Sequence, residues 1–268
     1  AASGAAMAQS SVTLWGIVDL SYRSVSQNGT TLATMAQDGI ASSRLGFRGT
    51  EDLGGGMKAS FWLEGALQPD VGTSAALQFQ RRSTMSLEGG FGELRLGRDY
   101  TPTFWNHTVY DPFGTNGVGS SVNTFTVLGS GATTLVRANN SIGYFTPTMG
   151  GLQAQVMMSV KESKDANTAN EYTGIRVTYN AGPLSAAVAT ASEGSTSAAA
   201  SFKRTNVGVA YNMGVARPMF QYTTAKFGAN KVNHYLVGAF KCRKVFGNRG
   251  SRGVQNQNGV KGSSCWKL

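Results

Sequence analysis

Residues 92–98 read GELRLGR and residues 137–145 read RANNSIGYF. Leu94 and Leu96 alternate with polar neighbours in the first stretch, and Ile142 and Tyr144 do so in the second. That is the period-two pattern of a β-strand with one apolar face. From Asp99 to Val136, between them, neither a strand nor a helix period is visible. A run of that length without structure of its own is functional or disordered. Its aromatic residues, Phe104, Trp105, Tyr110, Phe113 and Phe125, argue against disorder. After Asp99 it carries one acid, Asp111, and no Lys or Arg. Arginine stands at both borders, as Arg98 and Arg137. A nearly uncharged loop framed by arginines is what a segment folded into a pore would look like.

The same alternation recurs on either side. Strands are expected over 11–26, 43–51, 57–67, 77–87 and 93–98 before the long segment. After it they are expected over 137–145, 152–161, 171–179, 184–190, 202–211, 216–227 and 231–240. About twelve strands of near membrane-spanning length result. Short Gly- or Asn-containing turns fall near residues 54, 90, 150, 181 and 213, because glycine takes positive φ at little cost. Longer links fall at 27–41, 68–76, 99–136, 161–171, 192–201 and 227–231. Short turns on one rim and long loops on the other mark a transmembrane antiparallel β-barrel, an all-β fold. In lipid such a sheet must close, because every backbone N–H and C=O needs a partner.

Composition agrees. Charged residues make up 14% of the 268, against roughly 25% in soluble domains, and no apolar run reaches the length of a membrane helix. The formal net charge of +10 is misleading. All the acids lie in residues 1–240, whereas residues 241–268 hold only bases, together with Cys242 and Cys265. Residues 1–8 (AASGAAMA) end in the A-x-A pattern of a secretory cleavage site and read as the remnant of a signal peptide. Residues 9–240 read as the barrel. Residues 241–268 show no alternation and read as a basic tail foreign to it, the product of a frameshift or gene-model error.

The stretches SRLGFRGTEDLGGGMKASFWLEG (43–65), RRSTMSLEGGFGELRLGRDYTPT (81–103) and RANNSIGYFTPTMGGLQAQ (137–155) resemble the Gram-negative general porins, and among them the anion-selective trimeric kind. SSVTLWGIVD near the start and GPLSAAVA (182–189) add to the resemblance. It implies a sixteen-stranded outer-membrane barrel, a homotrimer surrounded by lipid and lipopolysaccharide, and a third loop folded into the lumen. It also implies four strands beyond residue 240, so that the chain as written is expected not to insert as a conducting trimer. By resemblance Arg44, Arg98, Arg137 and one of Arg81 and Arg82 line the constriction. The loop turns across the pore at Asp111, Pro112, Phe113 and Gly114, with Asp111 as its main carboxylate. Alternation puts Arg44, Arg82 and Arg137 inside with their apolar neighbours outside. It favours Arg82 where the resemblance favours Arg81, and it points Arg98 outward unless a bulge re-aims it. Trp15, Trp62 and Tyr100 fit an interfacial girdle or simple sheet packing equally well.

These readings imply a passive, water-filled pore whose arginines enrich small anions, without a cofactor or a metal. A structural or adhesin-type barrel would differ in having a filled lumen, and a truncated product in failing to conduct. An enzyme is not expected. The only histidines are His107 and His234, and no G-x-S-x-G or metal-spaced cluster occurs. The basic tail carries no nucleic-acid motif.

Overall fold

A computed structural model describes residues 11–72, 78–124, 134–160, 171–194 and 202–241. The expected leader remnant 1–8 and the tail from residue 242 lie outside these. Twelve strands form one antiparallel sheet. They are β1 (Ser11–Ile17), β4 (Arg44–Gly54), β5 (Met57–Ala66), β6 (Arg82–Gly89), β7 (Gly92–Tyr100), β8 (Arg137–Phe145), β9 (Leu152–Ser159), β10 (Tyr172–Ala181), β11 (Leu184–Glu193), β12 (Phe202–Tyr211), β13 (Ala216–Phe227) and β14 (Asn230–Lys241). β1 pairs with β4, and from there each strand pairs with the next. A separate hairpin joins β2 (Ser21–Gln27) to β3 (Thr30–Ala36).

The first strand is shorter than the alternation suggests. Asp19 interrupts it. Its carboxylate collects the backbone N–H groups of Gly39, Ile40 and Ala41 at 2.8–3.1 Å, and its own N–H donates to Ser43 Oγ at 2.8 Å. The chain then leaves the sheet as the hairpin, which reverses at Asn28-Gly29. Both turn residues have positive φ, 50° and 78°, the requirement of a type I′ turn. The stretch expected as a link at 27–41 therefore contains β3. The link after β13 is also tighter than expected, since Phe227 pairs with Asn230 across a two-residue turn.

Register carries one face across the sheet. Arg48 lies opposite Trp62, Trp62 opposite Thr84, Thr84 opposite Gly97 and Gly97 opposite Ser141. At the far side Arg176 lies opposite Ala189, Ala189 opposite Asn206 and Asn206 opposite Thr223. This face is polar and buried: Asn206, Gln221 and Thr223 are 0% exposed. The other face carries Leu94, Leu96, Ile142, Val156, Val207, Val209 and Val237, all exposed. Polar inside and apolar outside is the reverse of a water-soluble sheet and is the pattern of a barrel wall in lipid. Among the described residues the sheet is open, with β1 and β14 as its edges.

Candidate functional site

The long segment after β7 contains a helix, α1 (Pro102–Tyr110), that periodicity did not reveal. Thr101 caps it, accepting from Phe104 N, and Pro102 occupies the first turn. Both residues are favoured there, the hydroxyl because it satisfies an orphan N–H and proline because it has none to satisfy. The helix crosses the polar face and docks on β10–β13 through side-chain amides. Asn106 Nδ2 donates to Asn206 Oδ1 at 2.9 Å, and Asn206 Nδ2 donates to the Thr103 carbonyl at 2.9 Å. Gln221 Nε2 donates to the Asn106 carbonyl at 3.1 Å, and its Oε1 lies 2.8 Å from His107 Nδ1. Thr103 meets Tyr172 Oη at 3.1 Å. Burial pushes His107 down to about 3, with Arg204 adding repulsion, so the ring is neutral. Glycine lets the helix sit this low: a Cβ on Gly208 would fall 2.1 Å from the Tyr110 ring.

Beyond α1 the chain turns at Asp111. Its carboxylate accepts from Phe113 N at 2.7 Å, Ser121 N at 2.8 Å and Thr115 N at 3.2 Å, and the residue is 1% exposed. Pro112 rests on Gly238 of β14. Four residues later Asn116 Oδ1 accepts from the hydroxyl and backbone N–H of Ser42, just before β4. At most about 14 Å of chain thus links the two sides of the opening.

Opposite the docked helix, guanidiniums converge on one carboxylate. Arg44 Nη1 lies 3.2 Å and Arg81 Nε 2.7 Å from Glu64 Oε1. Trp62 Nε1 donates to Glu64 Oε2 at 3.1 Å. Arg81 and Arg137 both donate to Tyr100 Oη, at 3.1 and 2.9 Å, and Arg137 lies over the Tyr100 ring, 4.5 Å from its centroid. The Tyr100 ring in turn stacks on Phe104 of α1, with centroids 5.1 Å apart. Two guanidiniums therefore share the Glu64 carboxylate and a third joins them through Tyr100, a surplus of two positive charges at the foot of the inward loop. Further along the same face Arg95 bridges Asp99 at 2.6 Å and Glu93 at 2.7 Å. Arg82 lies 3.6 Å from Asp99 and 4.7 Å from the Trp62 ring. Arg48 lies 5.4 Å from that ring, beside a cleft of about 430 Å³.

A profile of the family described as Gram-negative porin matches residues 1–240. The chain belongs to that family. Outer membrane porin protein 32 of Delftia acidovorans is 43% identical over 253 residues, 89% of this chain and 72% of that protein. An outer membrane porin protein of Bordetella pertussis is 31% identical over 220 residues, covering 69% of this chain and 55% of its own length. The structure described as an anion-selective porin from Comamonas acidovorans superposes with a TM-score of 0.78 at 38% identity, covering 87% of this chain and 75% of that one. This porin is thus an outer-membrane channel protein whose strands cross the bilayer.

The porin's sequence-predicted residues divide into groups. Arg44, Arg81 and Arg137 come together. Arg82 joins the charge-balanced cluster with Arg95 and Asp99, so both members of the Arg81–Arg82 pair reach the polar face. Arg81 can do so because it precedes β6 and is not bound by alternation. Arg98 does not join them: its Nε donates to the Gln80 carbonyl at 2.6 Å and its Nη1 to Asn139 Oδ1. A bulge is present, but on β8. Gly97 pairs with Ser141 and Asp99 with Ala138, leaving an extra residue at Asn139-Asn140, and Asn140 has φ 50°. That bulge shifts the phase of Arg137 and leaves Arg98 where alternation puts it. Asp111 also departs from expectation, its carboxylate being spent on backbone N–H groups. Phe113 is half exposed at the turn and Gly114 closes it, with φ 55° and an N–H bonded to the Asp111 carbonyl. Trp15, Trp62 and Tyr100 form no girdle. Trp15 packs edge-on against Trp62, 5.1 Å away, and both remaining rings serve the arginines. Glu64, Arg48, Arg95 and Arg176, whose Nε donates to Asn106 Oδ1 at 3.1 Å, went unsingled in the sequence.

Proposed function

We propose that this porin forms a passive, water-filled, anion-selective diffusion channel as a homotrimer, with the narrow zone between the Arg44–Arg81–Arg137 cluster and the docked loop. The observation that carries this reading is the cluster built on Glu64 and Tyr100, in which three guanidiniums meet a single carboxylate. Low-dielectric walls focus that surplus and enrich small anions. Guanidinium stays charged and forks onto carboxylate or phosphate, which suits brief contact with organic acids. The clamps on Glu64 and Tyr100 hold the arginines in place before a solute arrives, so little ordering is required on passage. The similar Comamonas porin is described as anion-selective, which supports the same reading. Among the described residues β1 and β14 are open edges, and a barrel in lipid must pair both.

The test is planar-bilayer reversal potential in a salt gradient, on the channel completed with the remaining residues of the Delftia relative. The completed channel is expected to conduct with anion preference. Cation preference in the completed channel would overturn the selectivity, and a plugged, non-conducting completed barrel would favour a structural role.

A further inference from the structure

The polar face holds a second hollow apart from the Glu64 cluster, the cleft beside Arg48. Register builds it in rows between that cluster and the short-turn rim. Thr13, Arg48 and Trp62 stand side by side across β1, β4 and β5. One step nearer the rim, Thr50, Ser60 and Ser86 do so across β4, β5 and β6. Glu88 and Glu93 face each other one step further on. All of these line a cleft of about 430 Å³, within the ~300–1,000 Å³ of small-molecule sites. Hydroxyls and charged groups take the place of the apolar lining usual in such sites.

Charge balances across it. Arg82 and Arg95 are held by Asp99 and Glu93, and Lys58 stands opposite both Asp52 and Glu88. With Arg48, four cations meet four carboxylates, so no ion of either sign is enriched here as it is beside Glu64. Two charged groups keep free valences. Arg48 is exposed, and among the described residues its guanidinium has neither an ion pair nor a hydrogen bond. Glu88 forms no ion pair there and accepts only from Ser60 Oγ, at 2.9 Å through one oxygen. The Thr13 and Thr50 hydroxyls between them are also uncommitted among the described residues. The cleft thus offers a fork of N–H donors, a carboxylate oxygen and hydroxyls that both donate and accept. A neutral molecule carrying several hydroxyls matches that set, because each of its O–H groups can accept from Arg48 or donate to Glu88.

We propose that this cleft is a binding site for a neutral polyhydroxylated solute of monosaccharide size, held on the lumen wall by Arg48 and Glu88 with Thr13 and Thr50 between. Neighbouring hydroxyls of the solute accept from the Arg48 fork, and another donates to the open oxygen of Glu88. The site is independent of the Arg44–Arg81–Arg137 cluster and gives the porin a second class of solute besides anions.

Glucose titrated into the detergent-folded full chain tests this through the emission of Trp62, whose ring lies 5.4 Å from the Arg48 guanidinium. Emission should change and saturate with a midpoint on the order of millimolar. Gluconate, the anion of nearly the same size, should bind no more tightly. Tetraethylene glycol, whose hydroxyls are only terminal, should give no saturation. Arg48→Met combined with Glu88→Gln should raise the glucose midpoint at least about tenfold. Thr13→Val combined with Thr50→Val leaves every charge in place and should raise it about three- to tenfold, which separates lost contacts from lost folding. No saturation by glucose, equal binding of tetraethylene glycol, or undiminished binding by either double variant overturns the proposal. Tighter binding of gluconate than of glucose would make the cleft a further anion site and also overturn it. Binding is read without conduction, so its failure is distinct from a failure of anion selectivity.

Discussion

Arg137→Gln in the completed channel should weaken anion selectivity measurably, and Arg98→Gln should do so far less. Arg137 has no carboxylate of its own: its partners are the Tyr100 hydroxyl and the Arg81 carbonyl. Its charge is therefore part of the surplus that an ion in the narrow zone experiences. An ion about 7 Å away interacts with it by about 0.6 kcal/mol in water and by about 1.2 kcal/mol at an effective dielectric constant of about 40. Screening at 0.1 M salt, with a Debye length of about 10 Å, roughly halves both values. The charge favours an anion and disfavours a cation equally, so the difference between them is about 0.6–1.2 kcal/mol. Removing it should lower the anion-to-cation permeability ratio about three- to eightfold. The substitution also forfeits two hydrogen bonds and a cation–π contact, a cost of about 1–3 kcal/mol that a thermal shift would register. Arg98 carries the same charge but is turned toward Gln80 and Asn139. Reversal potential in a KCl gradient reads both variants. If Arg98→Gln moves it more than Arg137→Gln, or if neither moves it, the convergence on Glu64 and Tyr100 does not set the selectivity.

Asp111→Asn should cost about 1–3 kcal/mol of stability, because the carboxylate organises three N–H donors. The permeability ratio should shift by less than half of the Arg137→Gln effect, since Asp111 is 1% exposed. Gly208→Ala drives a Cβ to 2.1 Å from the Tyr110 ring and should lift α1 off the wall, at about 1–3 kcal/mol. Limited proteolysis should then cut within the loop, and single-channel noise should rise. Acid should loosen the same contact. His107 titrates near 3 in the docked loop and near 6.5 when released, so below about pH 6.5 the released state takes up the proton and the docked state does not. Stability is expected to fall by about 2 kcal/mol between pH 6.5 and pH 5. The slope of unfolding midpoint against pH should flatten in His107→Gln.

Alternation alone made much of the wall legible. It placed Arg44 and Arg82 on the polar face, and the same rule, read along GELRLGR, sends Arg95 inward and Arg98 outward. Arg98 entered the predicted site only through the resemblance, against its own parity. Arg48 shares a face with Arg44, and Glu64 shares one with Trp62, so both were readable. Glu64 was missed because carboxylates were sought in the loop. Other signals were local and equally readable. Thr101-Pro102 announces a helix start, and Asn28-Gly29 is the dipeptide of a two-residue hairpin turn. The bulge on β8 was not readable in this way. Neither Asn139 nor Asn140 declares which strand carries the extra residue, because a register shift is a property of a pair of strands and not of either sequence.

The failures of alternation and the location of the candidate site share one cause. Period two sets side-chain direction only while the ladder constrains φ and ψ. Arg81 precedes β6, Tyr100 ends β7 and Arg137 opens β8, so all three stand where the backbone leaves the ladder to enter or return from the inward loop. A loop can cross the lumen only from strand ends, and charges meant to face it are best anchored at the same place. Their directions are then fixed by side-chain contacts, with Glu64 and Tyr100 as the organisers. It follows that Tyr100→Phe, which keeps the stack on Phe104 and deletes the shared acceptor of Arg81 and Arg137, should leave the wall intact while freeing the guanidiniums to swing. Conductance would then fluctuate more, with the net charge unchanged.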